Sequence, residues 1–252
     1  MDRTGTLDVS IDDGLLALVP GYVLGLIAVP AVEVVKGAEA VDALLTDAED
    51  ELHRARLGKS DVSALPAIDA WREAYRTVGA NPNRFPCAAE SLLRRVAKGD
   101  RLPRINSLVD LCNGVSLGSR LPVASCDVGD ITGELAVRRA HGDERYLPLG
   151  APEAAEHPEP GEVVYADGLG RAHSRRWNWR QSDVIKTDVG HRRLVITVEA
   201  VHEGGREDVE RALTRLAGAL DGLGAERRQP LVLDASVPRA ELFAAESAAS
   251  VN

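Results

Sequence analysis

The sequence predicts an α+β fold, with mixed sheets covered by packed helices. Helical patterns cluster in the first half of the chain, strand patterns dominate the second half, and the two do not alternate regularly. A regular alternation of strands and helices would instead predict a parallel α/β sheet. The chain has 252 residues, of which 44% are hydrophobic and 27% are charged, so it is long enough and apolar enough to bury a core.

Five apolar runs are predicted to be strands, because their side chains alternate in polarity or are apolar throughout. These runs are residues 6–11, 22–29, 131–139, 162–166 and 193–202. The last run is the clearest, since it is rich in β-branched residues, which favour a pleated backbone. Apolar residues at helical spacing predict five helices, at residues 38–57, 67–78, 87–98, 106–117 and 206–221.

The remaining segments are predicted to be loops or termini. Residues 150–161, GAPEAAEHPEPG, contain three prolines and two glycines and are expected to form an exposed loop. Residues 241–252 are expected to form a short frayed helix or a tail. Because the sequence has no internal repeat and no clear linker, we expect one continuous domain over residues 1–235 and a C-terminal tail over residues 236–252.

Composition disfavours several functional classes. The N-terminus has no basic leader followed by an apolar run, and no apolar stretch of about 18 residues occurs, so we expect a cytoplasmic protein that does not enter the membrane. The three cysteines form no C-x-x-C pair, and the six histidines never stand four residues apart. These spacings argue against a zinc site and a disulfide framework, so we expect no metal and no cofactor.

Charge is distributed unevenly along the chain, whose net charge is −9. Residues 1–70 carry 13 acidic side chains against five basic ones. By contrast, residues 84–104 carry six basic side chains against two acidic ones, and residues 171–193 carry seven against two. If these two basic runs converge in space, they form a patch able to contact phosphates, with weak binding that depends strongly on salt. The alternative is two separate solvated faces.

The most informative segment is residues 103–127, PRINSLVDLCNGVSLGSRLPVASCD. In a helix, Asn106, Asp110 and Asn113 form one polar stripe, while leucine, valine and cysteine side chains cover most of the remaining surface. Buried amides and carboxylates need hydrogen-bond partners, so the stripe faces polar groups or water. Two interpretations remain open here: Asn106 caps the helix while the other two residues tie neighbouring loops together, or the stripe lines a functional site.

This segment resembles the editing domain of the bacterial phenylalanyl-tRNA synthetase β subunit, also known as the B3/B4 domain. The family pattern is roughly P-I-N-x-V-V-D-x-T-N-x-V, followed nine residues after the last Asn by a Pro and then by an Asp. The matching residues are Ile105, Asn106, Val109, Asp110, Asn113, Val115, Pro122 and Asp127. The resemblance covers roughly residues 70–200 and is closest to free-standing relatives of that domain.

The resemblance implies a hydrolase that cleaves the ester between a wrong amino acid and the 3′-terminal ribose of a tRNA. That ester is already activated, so the protein need only position a water and the neighbouring ribose hydroxyl. No G-x-S-x-G elbow or other nucleophile-and-base pattern is visible in the sequence, which fits this chemistry. The expected partner is the 3′ end of a mischarged tRNA. Two alternatives stay open: a non-catalytic module that binds an amino acid, a tRNA end or a protein, and a hydrolase of small molecules.

Residue by residue, the resemblance implies an amino-acid pocket around Cys112 and Asn113, where the family has Thr-Asn. Asn113 keeps the family's identity and is the expected catalytic residue. Ala124 stands where the family has a pocket histidine, and the run from Trp177 to Ser182 replaces a glycine-rich pocket loop. These departures make the synthetase's preference for tyrosine an unsafe guide to the amino acid taken here. The expected substrate-binding residues are Cys112, Asn106, Pro122, Ala124, Trp177, Asn178, Trp179 and Gln181.

Two aspartates and four arginines complete the expected site. Asp110 and Asp127 are expected to be structural and to hold the motif helix to the loop that carries Pro122. On an edge strand, Trp177 and Trp179 would face one side and the flanking arginines the other, so this run would stack a base and contact phosphate. Core packing of the tryptophans is the alternative. The expected tRNA-binding residues are Arg94, Arg95, Arg176 and Arg180.

Overall fold

Helices and strands are mixed along the chain in the computed structural model, which describes residues 5–129 and 131–243. The helices are α1 (Asp13–Leu18), α2 (Glu39–Ala55), α3 (Lys59–Ser63), α4 (Pro66–Thr77), α5 (Ala88–Ala97), α6 (Ser107–Ser119) and α7 (Gly205–Gly222). The strands are β1 (Leu7–Ile11), β2 (Val23–Val34), β3 (Val123–Asp127), β4 (Glu134–Arg139), β5 (Arg145–Tyr146), β6 (Val163–Asp167), β7 (Arg171–Ala172), β8 (Ser174–Arg175), β9 (Arg180–Gln181), β10 (Gly190–Ala200), β11 (Leu231–Leu233) and β12 (Arg239–Leu242). The fold class is α+β, as the sequence predicts. Within the described residues, no helix has the length and apolarity needed to cross a bilayer.

A four-stranded antiparallel sheet carries the central part of the fold, in the order β11-β2-β10-β3. Its centre is the long pair of β2 and β10, whose valines and isoleucines favour a pleated backbone. Ile27 and Ile196 face one side of this sheet, where they share an apolar cluster with Leu213 of α7. Leu26 and Val195 face the other side and belong to the second, larger cluster. The sheet is therefore buried on both faces, which explains why its strands are almost continuously apolar.

A second sheet has six strands in the order β12-β1-β4-β6-β7-β5. β1 pairs in parallel with β4 and antiparallel with β12. The prediction of a frayed helix or tail is therefore wrong for Glu241 and Leu242, which lie in β12. The physical reason is burial, because Leu242 is only 3% exposed when it pairs opposite Leu7. Residues 244–252 of that predicted segment lie outside the described residues.

Each of the five predicted helices and five predicted strands is present, with shifted ends. β2 continues to Val34, beyond its predicted end, because valines resume after Pro30. Sequence reasoning missed the short elements, among them α1, α3, β3 and β11. Elements of three to six residues are too short for a helical or strand period to become visible.

An aromatic cluster joins α4 to the four-stranded sheet. Trp71 and Tyr75 lie one turn apart on α4, and both contact the Trp177 ring. Trp71 also contacts Tyr22, which lies just before β2. The Trp177 ring lies 5.0 Å from the Trp71 ring and 4.9 Å from the Tyr22 ring, both in edge-to-face contact. Four large rings in such contacts bury much apolar area and hold the backbone around Trp177 in place.

Candidate active site

A cavity of about 290 Å³ lies beside the free edge of β3. Its walls come from α5, α6, β3, the end of β10 and the hairpin formed by β8 and β9. Most of the residues expected from the sequence meet here: Cys112, Asn113, Pro122, Ala124, Trp177, Asn178, Trp179 and Gln181, together with Arg180. Segments that are far apart in the sequence thus form one pocket of the size that holds an amino-acid side chain.

Helix α6, which forms part of the cavity wall, is capped at its N-terminus by Asn106. The Asn106 side-chain oxygen accepts hydrogen bonds from the backbone N–H groups of Leu108 (3.1 Å) and Val109 (3.0 Å). Its side-chain nitrogen donates to the Thr187 carbonyl oxygen at 2.7 Å. Asn106 is buried, and it is not among the residues that line the cavity. The amide begins the helix and anchors it to the segment after β9, and its expected substrate-binding role stays a prediction.

Asn113 and Cys112 project from α6 into the cavity wall. Asn113 is half-buried, so its amide is accessible from the cavity. Cys112 is almost fully buried, and burial raises the pKa of its thiol to about 12. The same cause raises the pKa of Cys126, also in the cavity lining, to about 12. Both thiols are protonated at neutral pH and are poor nucleophiles, since the thiolate is the reactive form.

The strand β3 brings Pro122 and Ala124 next to β10. The Ser116 hydroxyl of α6 donates to the Leu121 carbonyl at 2.6 Å, and the Glu199 N–H donates to the Pro122 carbonyl at 3.0 Å. On its free edge, β3 is bound by a side chain instead of a strand, because the Gln181 amide donates to the Ser125 carbonyl at 2.8 Å. Gln181 therefore positions the cavity wall in addition to lining it.

The two motif aspartates bond partners that differ from those expected. Both oxygens of Asp110 accept from the Ile105 N–H, at 3.0 and 3.1 Å, and its side chain is buried. Burial raises the pKa of Asp110 above its ordinary value. Asp127 accepts from the Gly129 N–H at 3.0 Å and lies 3.6 Å from Arg192. Each aspartate fixes the turn beside its own element, whereas Ser116 makes the link between α6 and the Pro122 segment.

The tryptophan-rich run forms a turn and not an edge strand. Residues Arg176–Trp179 connect β8 to β9, and both Arg176 (φ 44°) and Trp177 (φ 64°) adopt the left-handed conformation. The two tryptophans consequently do not share a face: Trp177 is fully buried in the aromatic cluster, and Trp179 is partly exposed. The alternative of core packing holds for Trp177 alone. Asn178, between them, accepts from the Tyr75 hydroxyl at 3.1 Å.

Glu199 of β10 is an acidic residue of the cavity lining that sequence reasoning missed. It is 3% exposed, and it accepts from the Tyr22 hydroxyl at 2.7 Å and from the Asn178 amide at 3.2 Å. Burial raises its pKa from 4.5 to about 7. An acidic residue inside the valine-rich β10 is the one sequence signal that marks it, because a carboxylate in a buried strand needs a reason to be there.

The two basic runs of the sequence do meet, at one point. The Arg176 guanidinium lies 3.8 Å from the centre of the Phe85 ring, and that ring lies 4.8 Å from the Trp179 ring. Arg84 and Arg180 flank these rings at 5.0 and 4.4 Å. Arg84 and Phe85 were not among the expected site residues, since nothing in their local sequence points to the β8–β9 turn.

Many basic side chains of these runs are neutralised inside the protein, contrary to the expectation for Arg94 and Arg176. Arg94 pairs with the buried Glu90 at 2.5 Å, and Arg176 lies 3.3 Å from Glu159 in the proline-rich loop. The side chains of Arg94 and Arg176 are only 16% and 14% exposed. Arg95, in contrast, is exposed on α5. Counting basic residues along the sequence thus overstates the charge available to a partner.

The sequence of residues 70–216, more than half of the chain, matches the family described as B3/4 domain. The chain belongs to the B3/4 domain family. All of the residues that line the cavity fall within the matched span, whereas Tyr22, which donates to Glu199, lies outside it. The B3/4 domain therefore supplies the walls of the cavity, and the N-terminal segment supplies part of its support.

Among solved structures, the chain is similar to the crystal structure of an N-terminal fragment of the phenylalanyl-tRNA synthetase beta-subunit from Pyrococcus horikoshii. The similarity has 15% sequence identity and a TM-score of 0.45, and it covers 89% of this chain and 53% of that one. The chain thus spans about half the length of that fragment. No curated protein sequence matches this chain.

Proposed function

We propose that this B3/4 domain protein is an aminoacyl-tRNA deacylase that acts in the cytoplasm on mischarged tRNA, as a free-standing editing enzyme. The observation that carries the proposal is the convergence of Asn113 and Ala124, from the motif, with Glu199 in one largely apolar cavity. Such a cavity suits an amino acid attached to an ester, with polar groups at a few defined points.

The proposed reaction is hydrolysis of an ester. The oxygen of a water molecule forms a bond to the carbonyl carbon, the bond from that carbon to the ribose oxygen breaks, and the ribose oxygen receives a proton. Asn113, accessible in the cavity wall, donates a hydrogen bond to the ester carbonyl or accepts one from the water. Preorganised polar groups of this kind stabilise developing charge without a protein nucleophile, and the protonated thiols of Cys112 and Cys126 are consistent with that route.

Glu199 gives this apolar cavity a polar acceptor. Its carboxylate is held by Tyr22 and Asn178, so its remaining lone pairs have a fixed direction. In the proposal, Glu199 accepts a hydrogen bond from a donor on the bound amino acid and thereby favours substrates that carry one. A buried acceptor left without its donor costs free energy, and this is how such a pocket discriminates.

A non-catalytic binding module on the same scaffold is the second candidate. The observation in its favour is Ala124, which lies opposite Thr197 in the cavity wall where the resembling family has a histidine. Such a module would bind an aminoacyl-tRNA end without releasing the amino acid.

One experiment separates the two candidates. The protein is incubated with a panel of tRNAs charged with cognate and near-cognate amino acids, with and without side-chain donors, and loss of the label is followed. The deacylase proposal expects faster loss from at least one mischarged tRNA than without protein, and the same protein with Asn113→Ala as control should lose this activity. Tight binding of charged tRNA with no acceleration for any member of the panel would contradict hydrolysis and favour the binding module.

A further inference from the structure

A second cavity, of about 270 Å³, lies at the C-terminal end of α4. Its walls are the turn after α4, the end of β4, the loop that leads into β6, and the β8–β9 turn. We refer to it as the rear cavity. Among the described residues, Trp177 alone belongs to the lining of both cavities. The volume is below the usual range for drug-sized ligands, so an occupant of the rear cavity is a smaller molecule.

Arg139, at the end of β4, supplies unpaired positive charge to the rear cavity. Its side chain is exposed, and its Nε donates to the Gly161 carbonyl at 3.3 Å. Within residues 5–129 and 131–243, it has no carboxylate within ion-pair distance. Gly161 makes this placement possible, because a Cβ at that position would lie 2.6 Å from a terminal nitrogen of Arg139. The terminal nitrogens of Arg139 are therefore available to an anionic group.

Glu159, in the loop before β6, supplies negative charge to the same cavity. Its side chain is 79% exposed, and one of its two oxygens lies 3.3 Å from Arg176. Glu162 differs, because its carboxylate is only 5% exposed and is held by Arg175 at 2.7 Å. Glu159 is thus the carboxylate that a cationic group can reach. It stands two residues before Gly161, on which Arg139 rests, so the two opposite charges lie on the same side of the rear cavity.

Apolar groups complete the lining of the rear cavity. Val78 and Ala80 follow α4 and are half-buried, and Val163 of β6 is buried. A guanidinium group binds a carboxylate through two parallel hydrogen bonds, and a carboxylate binds an ammonium group. An anion site, a cation site and a small apolar surface in one cavity match the three parts of a free amino acid.

We propose that the rear cavity binds a free α-amino acid with a small aliphatic side chain, its carboxylate on Arg139 and its ammonium group on Glu159. The inference does not depend on deacylation, since it uses none of the residues assigned to that chemistry. The site is also placed to affect the first cavity. Arg176 and Trp177 line the rear cavity and form the turn that carries Trp179, so an occupant contacts the support of that turn.

The test measures binding of three matched probes to the full-length protein by calorimetry. The probes are L-valine, isovalerate, which lacks the ammonium group, and isobutylamine, which lacks the carboxylate. The variants Arg139→Ala and Glu159→Gln each remove one charge from an exposed side chain, and thermal melts check that both are folded. The matched control is Arg145→Ala, which removes an exposed arginine of the same sheet that lines neither cavity. Asn113→Ala reports on binding in the first cavity.

We expect L-valine to bind the wild-type protein about tenfold more tightly than either analogue, because each analogue loses one charged contact. Arg139→Ala should weaken L-valine binding about tenfold and leave isobutylamine binding unchanged. Glu159→Gln should weaken L-valine binding by a similar factor and leave isovalerate binding unchanged. Arg145→Ala and Asn113→Ala should bind L-valine as the wild-type protein does.

Four outcomes would overturn the assignment. The first is that L-valine does not bind at millimolar concentration. The second is that isovalerate binds as tightly as L-valine, because the cavity would then take any small anion. The third is that Asn113→Ala abolishes L-valine binding while Arg139→Ala does not, which would place the amino acid in the first cavity. The fourth is an equal loss in Arg145→Ala and Arg139→Ala, which would show an effect of overall charge alone.

Discussion

At the scale of single residues, the amide of Asn113 carries the proposed chemistry most directly. It lies on the cavity face of α6, next to a thiol that burial keeps protonated. A helix position fixes the direction of a short side chain better than a loop position does, because the backbone hydrogen bonds restrain it. Asn113 is therefore suited to hold a water or an ester in one place.

The first prediction concerns Asn113→Ala. Removal of one preorganised polar group should lower the rate of deacylation by about 10- to 1000-fold. The melting temperature should stay nearly unchanged, since Asn113 is half-buried at a cavity wall and not packed in the core. Single-turnover deacylation, with thermal unfolding as the control, measures both. Full deacylation activity in a folded Asn113→Ala protein would contradict the assignment of Asn113 to the chemistry.

The second prediction concerns the pH dependence of stability due to Glu199. Its pKa is about 7 in the folded protein and 4.5 ordinarily, because burial disfavours the charged form. Between these pH values the folded state retains a proton that the unfolded chain has lost. The stability that this group contributes is therefore fully present below about pH 4.5 and is lost as pH rises through 7.

A comparison with Glu199→Gln isolates this contribution, because the glutamine does not titrate. Between pH 4.5 and pH 8, the wild-type protein should lose on the order of 3 kcal/mol of unfolding free energy relative to the variant. Urea unfolding of both proteins at several pH values measures the difference. Curves that stay parallel over this range would show that Glu199 does not titrate as inferred.

At the scale of secondary-structure elements, α6 is held from its N-terminus. The Asn106 cap satisfies two backbone N–H groups, and Asp110 reaches back to the N–H of Ile105, outside the helix. Further along, Gly114 allows close packing against α2, because a Cβ at this position would lie 2.2 Å from Leu44. The helix that carries Asn113 is thus fixed at its entry and against its neighbour.

The third prediction compares the two motif aspartates. Asp110→Ala removes the buried carboxylate that accepts from the Ile105 N–H and should lower the unfolding free energy by about 1–3 kcal/mol. Asp127→Ala should cost less, because Asp127 is half-buried and bonds a glycine in an exposed turn. Thermal melts of both variants test the order. Unchanged melts together with abolished turnover would instead assign the aspartates to the chemistry.

The conformation of the β8–β9 turn depends on its surroundings. Arg176 and Trp177 are both in the left-handed region, which costs on the order of 1–2 kcal/mol for each non-glycine residue. Burial of the Trp177 ring among Tyr22, Trp71 and Tyr75 offsets this cost, and the Tyr75 hydroxyl bonds the Arg176 carbonyl at 2.8 Å. The turn then carries Trp179 to the cavity rim.

At the scale of the whole molecule, internal ion pairs decide which charges a partner meets. Glu90, Glu159 and Glu162 neutralise arginines that belong to the two basic runs. The exposed basic groups that remain near the cavity are few. The protein should therefore bind RNA weakly and with a small salt dependence, even though its sequence contains two strongly basic segments.

The fourth prediction tests this selection of charges. Charge reversal in the double variant Arg84→Glu and Arg180→Glu should weaken tRNA deacylation and leave hydrolysis of an aminoacyl-adenosine ester largely unaffected, because that substrate has no phosphate chain. The plot of log binding constant against log salt concentration should become shallower. The magnitude of its negative slope should decrease by about 1.4, or roughly 0.7 for each lost phosphate contact on a single strand. Filter binding of tRNA over a range of salt concentrations measures the slope.

The companion double variant, Arg94→Glu and Arg176→Glu, should behave differently. These side chains pair with carboxylates inside the protein, so their reversal should lower the melting temperature before it alters RNA binding. If the double variant Arg84→Glu and Arg180→Glu lost equal activity on tRNA and on the aminoacyl-adenosine ester, these two arginines would form part of the pocket itself. If this variant lost activity on neither substrate, both arginines would be solvated surface charges that do not contact the substrate.

The sequence by itself determined the long elements and the motif helix. Helical and strand periods are local properties, so α2, α4, α5, α6, α7 and the long strands follow from the spacing of apolar residues. The position of Asn113 on α6 follows in the same way, since the helix phase fixes which residues share its face.

Only the tertiary structure decided which groups meet. Tyr22 bonds Glu199 across 177 positions of sequence, and Phe85 meets Trp179 at the rim. Burial and pairing set the charge of a side chain, and both depend on neighbours that local sequence does not reveal. For this reason Glu199 stayed hidden within an apolar strand, and Arg94 and Arg176 stood out as free charges although carboxylates neutralise them in the fold.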